Sequence, residues 1–219
     1  MTRATYLDRR WPDVPLFQDV AQRWCDDQSR LLMELVWGGI DLLVVQLEAV
    51  PLRKDDEAKE EALNKLLSIY VQQCLSGDEP FCFIHQPPET AKRKRGKGRS
   101  PTPDHGFLLF DHPRSIWPLE GKVLDDEHDV TAYVHEITGN FLTGRYASFS
   151  SEGAMLGYLL DGDPNVALDR IRARLGTPTI PHPDFSNRPH RVSHHLKRRK
   201  RTGLAAFDCH HLIVTLRME

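Results

Sequence analysis

Apolar residues recur at Leu31, Leu32, Leu35 and Val36 within a run from about 15 to 50, the spacing of one face of a helix. Gly38-Gly39 predicts a break or kink inside it. After "PLRKDD" the pattern resumes over about 55–76, with Leu63, Leu66, Leu67 and Tyr70 on one face and Gly77 as the stop. "PFCFIH" (80–85) is short and aromatic and reads as a strand. "GFLLF" and "IWPLEGKVL" read as two further strands joined by the turn formers of "DHPRS". A helix over about 129–143 closes at Gly144, and another is expected from Ser150 or Ser151, carrying "EGAMLGYLL". "DGDPNVALDRIRARLG" has Asp163 at the N-cap, Pro164 in the first turn and Gly176 at the end. The stretch 177–203 is polar, His-rich and basic, and "CHHLIVTLR" (209–217) reads as the last strand.

Three strands in a meander, then a helical crossover to a fourth, predict an α/β chain with a four-stranded mixed sheet flanked by helices. Residues 1–54 form an N-terminal helical extension in this reading, and 55–219 the main domain. A chain of 219 residues is long enough to bury a proper core.

Net charge is −2, so the total says nothing about partners. Its distribution says more. Lys92, Arg93, Lys94, Arg95, Lys97 and Arg99 form one basic run, and Lys197, Arg198, Arg199, Lys200 and Arg201 another. Such runs are solvated loops or phosphate-contacting segments. The first stands just before Asp104, and the second just before the last strand, which favours a nucleic-acid backbone as partner. The four cysteines lack C-x-x-C spacing and read as free thiols of a reducing compartment. The N-terminus has no signal-peptide core. "LLMELVWGGIDLLVVQLEAV" is interrupted by Glu34, Asp41 and Glu48, so no membrane span is expected and the protein is read as cytoplasmic.

Acids sit in odd places in "TPDHGFLLFDHPRSIWPLEGKVL" (102–124), and burying ionised groups is costly unless they are paired or bind a metal. A hairpin centred on Pro113 puts Asp104 opposite Lys122 and Gly106 opposite Glu120. Cross-strand neighbours share a face, so Asp104, Glu120 and Lys122 converge, with Gly106 leaving space beside Glu120. A register slip of one would separate them. Asp111 is excluded, about 16 Å along the strand from the level of Glu120. Paired carboxylates can hold Mg²⁺ through hard oxygen ligands, and an adjacent lysine can orient water or neutralise a phosphate. The plainer reading is a salt-bridged strand end.

Pro103-Asp104, followed after fifteen residues by Glu120-Gly121-Lys122, resembles the PD-(D/E)xK motif of restriction-endonuclease-like nucleases. The resemblance covers roughly 55–217, and "YVHEITGNFLTGRYASFSSEGAMLGYLL" looks like a pattern in uncharacterised bacterial nuclease-like proteins. It implies a restriction-endonuclease-like core and Mg²⁺-dependent cleavage of DNA, with Mn²⁺ as a substitute. It also implies a role in bacterial defence beside a partner ATPase or helicase. By carry-over, Asp104 and Glu120 would be metal ligands and Lys122 the catalytic lysine. The family's helix glutamate matches Glu60 or Glu61, and Glu61 is preferred as nearer the expected E-x-x-L start. Gly121 stands where a larger residue is common, at a position pointing away from the site.

Arg145 could reach a substrate phosphate bidentately or simply compensate a helix dipole. His182, His190, His194, His195, His210 and His211 invite zinc, but no Cys/His pairs have finger spacing, and consecutive strand positions face opposite ways. The preferred reading is therefore a nuclease. Its rivals are a non-catalytic nucleic-acid-binding or interaction subunit of the same fold and, behind it, a zinc-dependent binding module.

Overall fold

The computed structural model describes residues 15–50, 59–87, 102–110, 112–146, 150–199 and 203–216. Two helices come first, α1 (Pro15–Ala49) and α2 (Lys59–Gln73). Strands β1 (Phe81–His85), β2 (His105–Leu109) and β3 (His112–Leu124) follow as an antiparallel meander. Helix α3 (Thr131–Glu136) runs into a π-helical turn (Ile137–Phe141) and crosses to β4 (Glu152–Leu159), parallel to β3. Helix α4 (Pro164–Leu175), β5 (Thr179–Pro181), a 3₁₀ turn (Pro183–Phe185), β6 (His190–Arg199) and β7 (Gly203–Thr215) complete the chain. One mixed seven-stranded sheet results, in the order β1-β2-β3-β4-β7-β6-β5. The expected four strands are thus corrected to seven.

The segment "EGAMLGYLL" is the central strand β4, not a helix. Ala154, Leu156 and Tyr158 pack on the face that carries α1 and α2, while Met155 and Leu159 pack on the face that carries α3 and α4. A parallel strand covered on both sides is apolar at every position, which periodicity cannot distinguish from a buried helix. The polar stretch 177–203 likewise contains β5 and most of β6, at the sheet's far edge.

Helix α1 is continuous through Gly38-Gly39. A Cβ on Gly39 would collide with Val71 Cγ2 and lie 2.8 Å from the Val71 amide nitrogen. These glycines let α1 and α2 approach closely and do not break the helix. Leu32, Val36, Ile40, Leu43 and Leu47 of α1 are buried in the same core as Phe81, Trp117 and Leu212 of the sheet. The helix read from sequence as an extension therefore supplies one wall of the core. Asp163 caps α4 by accepting the Asn165 amide, and Gly176 ends it at φ 64°. Among the described residues no helix is long and apolar enough to cross a membrane.

Candidate active site

Strand β2 starts at His105, which pairs with Leu119, so β3 outruns it by the five residues Glu120–Leu124. On that open side two carboxylates replace the missing strand. Asp104 Oδ2 accepts the Gly121 amide at 3.1 Å, and Glu60 Oε2, from the first turn of α2, accepts the Val123 amide at 3.2 Å. Asp104 in turn donates its own amide to Glu120 Oε2 at 3.0 Å. The Lys122 ammonium lies 2.6 Å from Glu60 Oε1 and 3.4 Å from Glu120 Oε1.

Asp104, Glu120 and Lys122 are therefore brought together, in a register two residues away from the expected one. Gly106 pairs with Pro118 rather than Glu120, and an even shift keeps every side chain on its face. Gly106 does not open space beside Glu120. A Cβ there would sit 2.6 Å from Ile116 Cγ2 and 2.9 Å from Pro87 Cγ, so packing requires the glycine. Gly121 points to α2 and away from the carboxylates, where a Cβ would collide with Asn64 Oδ1. That oxygen accepts the Tyr158 hydroxyl at 2.9 Å. Asp111 lies outside the described residues.

The choice between the two helix acids is corrected in favour of Glu60. Glu61 faces solvent and pairs with Lys65 at 2.5 Å. Glu60 also begins the reading Glu60-Glu61-Ala62-Leu63 with a fully buried Leu63, a frame that was legible in the sequence.

Glu120 is 4% exposed, and burial followed by the neighbouring Asp104 charge pushes its carboxyl up to about 8. Asp104 is raised as well, again by burial first, against the pull of Lys122 and the Gly121 amide. For Lys122 burial acts downward, but the Glu120 and Glu60 carboxylates outweigh it and hold the ammonium above its usual range. Two crowded carboxyls with raised proton affinity form a site that gains from a cation.

Two residues on the other side of the site were not assigned to it from the sequence. Glu136, at the end of α3, acts on Glu120 through its charge. The buried phenol of Tyr146 feels Glu120, Glu136, Asp104 and Lys122, and it stays protonated well above the ordinary tyrosine range, with burial the main cause. Arg145 is exposed, and its amide donates to the Asn140 carbonyl at 2.8 Å. Lys92, Arg93, Lys94, Arg95, Lys97 and Arg99, with Lys200 and Arg201, lie outside the described residues. The backbone of Lys197, Arg198 and Arg199 belongs to the end of β6.

Histidines 182, 190 and 210 do converge, with ligand atoms within 4.8 Å of one another. Their hydrogen bonds do not suit a metal. The indole N–H of Trp37 donates to His190 Nδ1 at 3.2 Å, and the Asp184 amide donates to His182 Nδ1 at 3.2 Å. Both partners are donors only, so each imidazole keeps its proton on Nε2, the atom a cation would need. His190 Nε2 lies 3.1 Å from His210 Nδ1, and His210 Nε2 lies 3.5 Å from Glu152, completing a relay from α1 to β4. The rings of His182 and His190 are also stacked at 4.7 Å, which aims their in-plane lone pairs side by side. His211 turns to the opposite face, towards Ser193 and Tyr133, while His194 pairs with Asp208 and His195 with Ser193.

Comparison with family models, with curated proteins and with solved structures finds no match for this chain.

Proposed function

We propose that this protein is a metal-dependent nuclease of restriction-endonuclease-like architecture that hydrolyses phosphodiester bonds in DNA. The observation that carries the reading is the buried Asp104–Glu120 pair beside Lys122, at a strand edge left open by the end of the meander. The donor set fits a hard divalent cation, since oxygen ligands stand together with more negative charge than Lys122 balances. Asp104 and Glu120 would hold Mg²⁺ or Mn²⁺. When bound, the cation supplies charge stabilisation at the phosphate and a more acidic water.

The chain's own groups do the rest. The Asp104 and Gly121 amides fix the two carboxylates, so little reorganisation is needed at the moment of reaction. Lys122, steered by Glu60, presents a permanent positive charge to the phosphate or to the attacking water. Tyr146 offers a neutral hydroxyl among these charges. The basic runs extend the same reading to a DNA backbone, and a defence role beside an ATPase or helicase rests on the motif resemblance alone.

The competing reading is a binding subunit that keeps the fold without the chemistry. It is favoured by the capping of β3 amides by Asp104 and Glu60, a structural task sufficient to retain both acids. A cleavage assay on plasmid and single-stranded DNA with Mg²⁺, Mn²⁺ or EDTA separates the two. Metal-dependent cutting lost in Glu120→Ala supports the nuclease, and no cutting under any metal, with DNA still bound, supports the subunit.

A further inference from the structure

The π-helical turn after α3 gives this site a component that the motif does not contain. The Leu142 amide bonds the Ile137 carbonyl, and the Arg145 amide bonds the Asn140 carbonyl, each five residues back, so the turn is wider than an α-helix. Such turns are rare and occur often at functional sites. Glu136 and Asn140 are four residues apart and share one face, where the Asn140 side-chain amide donates to Glu136 Oε2. That bond fixes the amide orientation, because a carboxylate can only accept. Asn140 is buried, and its Oδ1 has no hydrogen-bond partner. An orphaned buried acceptor calls for an unseen donor or cation.

The packing sets this turn against the candidate site. Gly153 at the start of β4 lies between Phe141 of the turn and Pro118 of β3, with no room for a Cβ on either side. Pro118 is two residues before Glu120 on the same face of β3. Tyr146 packs edge-on against Phe141 at 5.7 Å and bonds the Asn140 carbonyl through its amide at 3.1 Å. The charge of Glu136 reaches both Glu120 and the Tyr146 phenol.

We infer that Glu136, held in position by Asn140, is a third carboxylate of the cation pocket and binds a divalent metal jointly with Asp104 and Glu120. The inference rests on the metal-dependent reading above and enlarges its ligand set. The two sides of the pocket differ in construction. Asp104 and Glu120 are fixed by strand amides, whereas Glu136 is fixed by one side-chain amide on a widened turn.

Calorimetric titration of the full chain with MnCl₂, without nucleic acid, tests this directly. Glu136→Gln, which keeps shape and removes charge, should weaken Mn²⁺ binding about tenfold or more, and Asn140→Ser should weaken it less, within the range seen for groups that orient ligands. Asp169→Asn, on α4 and paired with Arg191, controls for loss of a surface charge and should bind as wild type. Glu136→Asp, checked by circular dichroism, serves if Glu136→Gln does not fold, and should also bind more weakly. Wild-type affinity in the Glu136 variants, with the wild-type chain binding Mn²⁺, would overturn this inference alone. A wild-type chain that binds no Mn²⁺ would overturn the metal-dependent reading and this inference with it.

Discussion

Asp104 and Glu120 hold each other through the main chain: the Asp104 amide donates to the Glu120 carboxylate, and the Asp104 carboxylate accepts the amide of Gly121, the next residue after Glu120. This reciprocal clamp extends the β2–β3 pairing by one step using side chains, and it locks two acids together in a buried place. The arrangement costs stability unless a proton or a cation is shared.

The cost has a definite pH dependence. The Glu120 carboxyl lies at about 8 in the folded chain against an ordinary 4.5, so its contribution is fully present below 4.5 and is lost as pH rises through 8. Glu120→Gln should therefore stabilise the metal-free protein at pH 8 by on the order of 1–3 kcal/mol and flatten its stability profile between pH 4.5 and 8. Thermal unfolding from pH 4 to 9 checks this. Added Mg²⁺ should raise the midpoint of the wild type and leave that of Glu120→Gln unmoved.

Asp104→Ala and Glu120→Ala should each abolish cleavage and weaken Mg²⁺ binding. Lys122→Ala should leave metal binding largely intact and slow cleavage by on the order of 10²–10³-fold, the effect of removing one charge-stabilising donor. Turnover and metal affinity measured side by side decide the matter. Equal cutting by wild type and Glu120→Ala would reduce the trio to a salt-bridged strand end.

Glu60 and Glu61 are adjacent in sequence and unequal in structure. Glu60→Ala leaves the Val123 amide and the Lys122 ammonium without this partner and should cost about 1–2 kcal/mol. Glu61→Ala removes only an exposed pair within one helix and should leave the unfolding midpoint unchanged. Denaturant titration of both variants is the measurement.

The histidine relay should behave as a hydrogen-bonded network without metal. His190 is pushed down to about 2, mainly by burial, so its neutral form stabilises the fold above its ordinary 6.5, and that contribution is lost as pH falls from 6.5 towards 2. Nitrogen-detected NMR should show His190 neutral at pH 5, with its proton on Nε2. Stoichiometric zinc in purified protein, or a zinc-dependent shift of the His190 and His182 nitrogens, would refute the network.

Gly39→Ala should separate α1 from α2 and destabilise the chain by about 2 kcal/mol, since its new methyl group meets the backbone of Val71 rather than a movable side-chain tip. A propensity-only view predicts the opposite sign, because alanine favours a helix over glycine. Unfolding midpoints of the two proteins distinguish these outcomes.

What the sequence determined by itself was local. The punctuation of α4 by Asp163, Pro164 and Gly176 is complete within the segment, and the even spacing of Glu120 and Lys122 puts them on one strand face whatever the partner. The meeting of Asp104 with Glu120 survived a two-residue error in register for the same reason, since pleating repeats every two residues. Only the tertiary structure could choose Glu60 over Glu61, because α2's docking on the sheet, rather than its own period, decides which acid reaches Lys122. It alone turned "EGAMLGYLL" into a strand, since burial on both faces erases the alternation that marks a strand from sequence. And it alone placed Glu136 beside the carboxylates, where the widened turn carries Asn140 against it and Gly153 admits the close packing of Phe141 on β4.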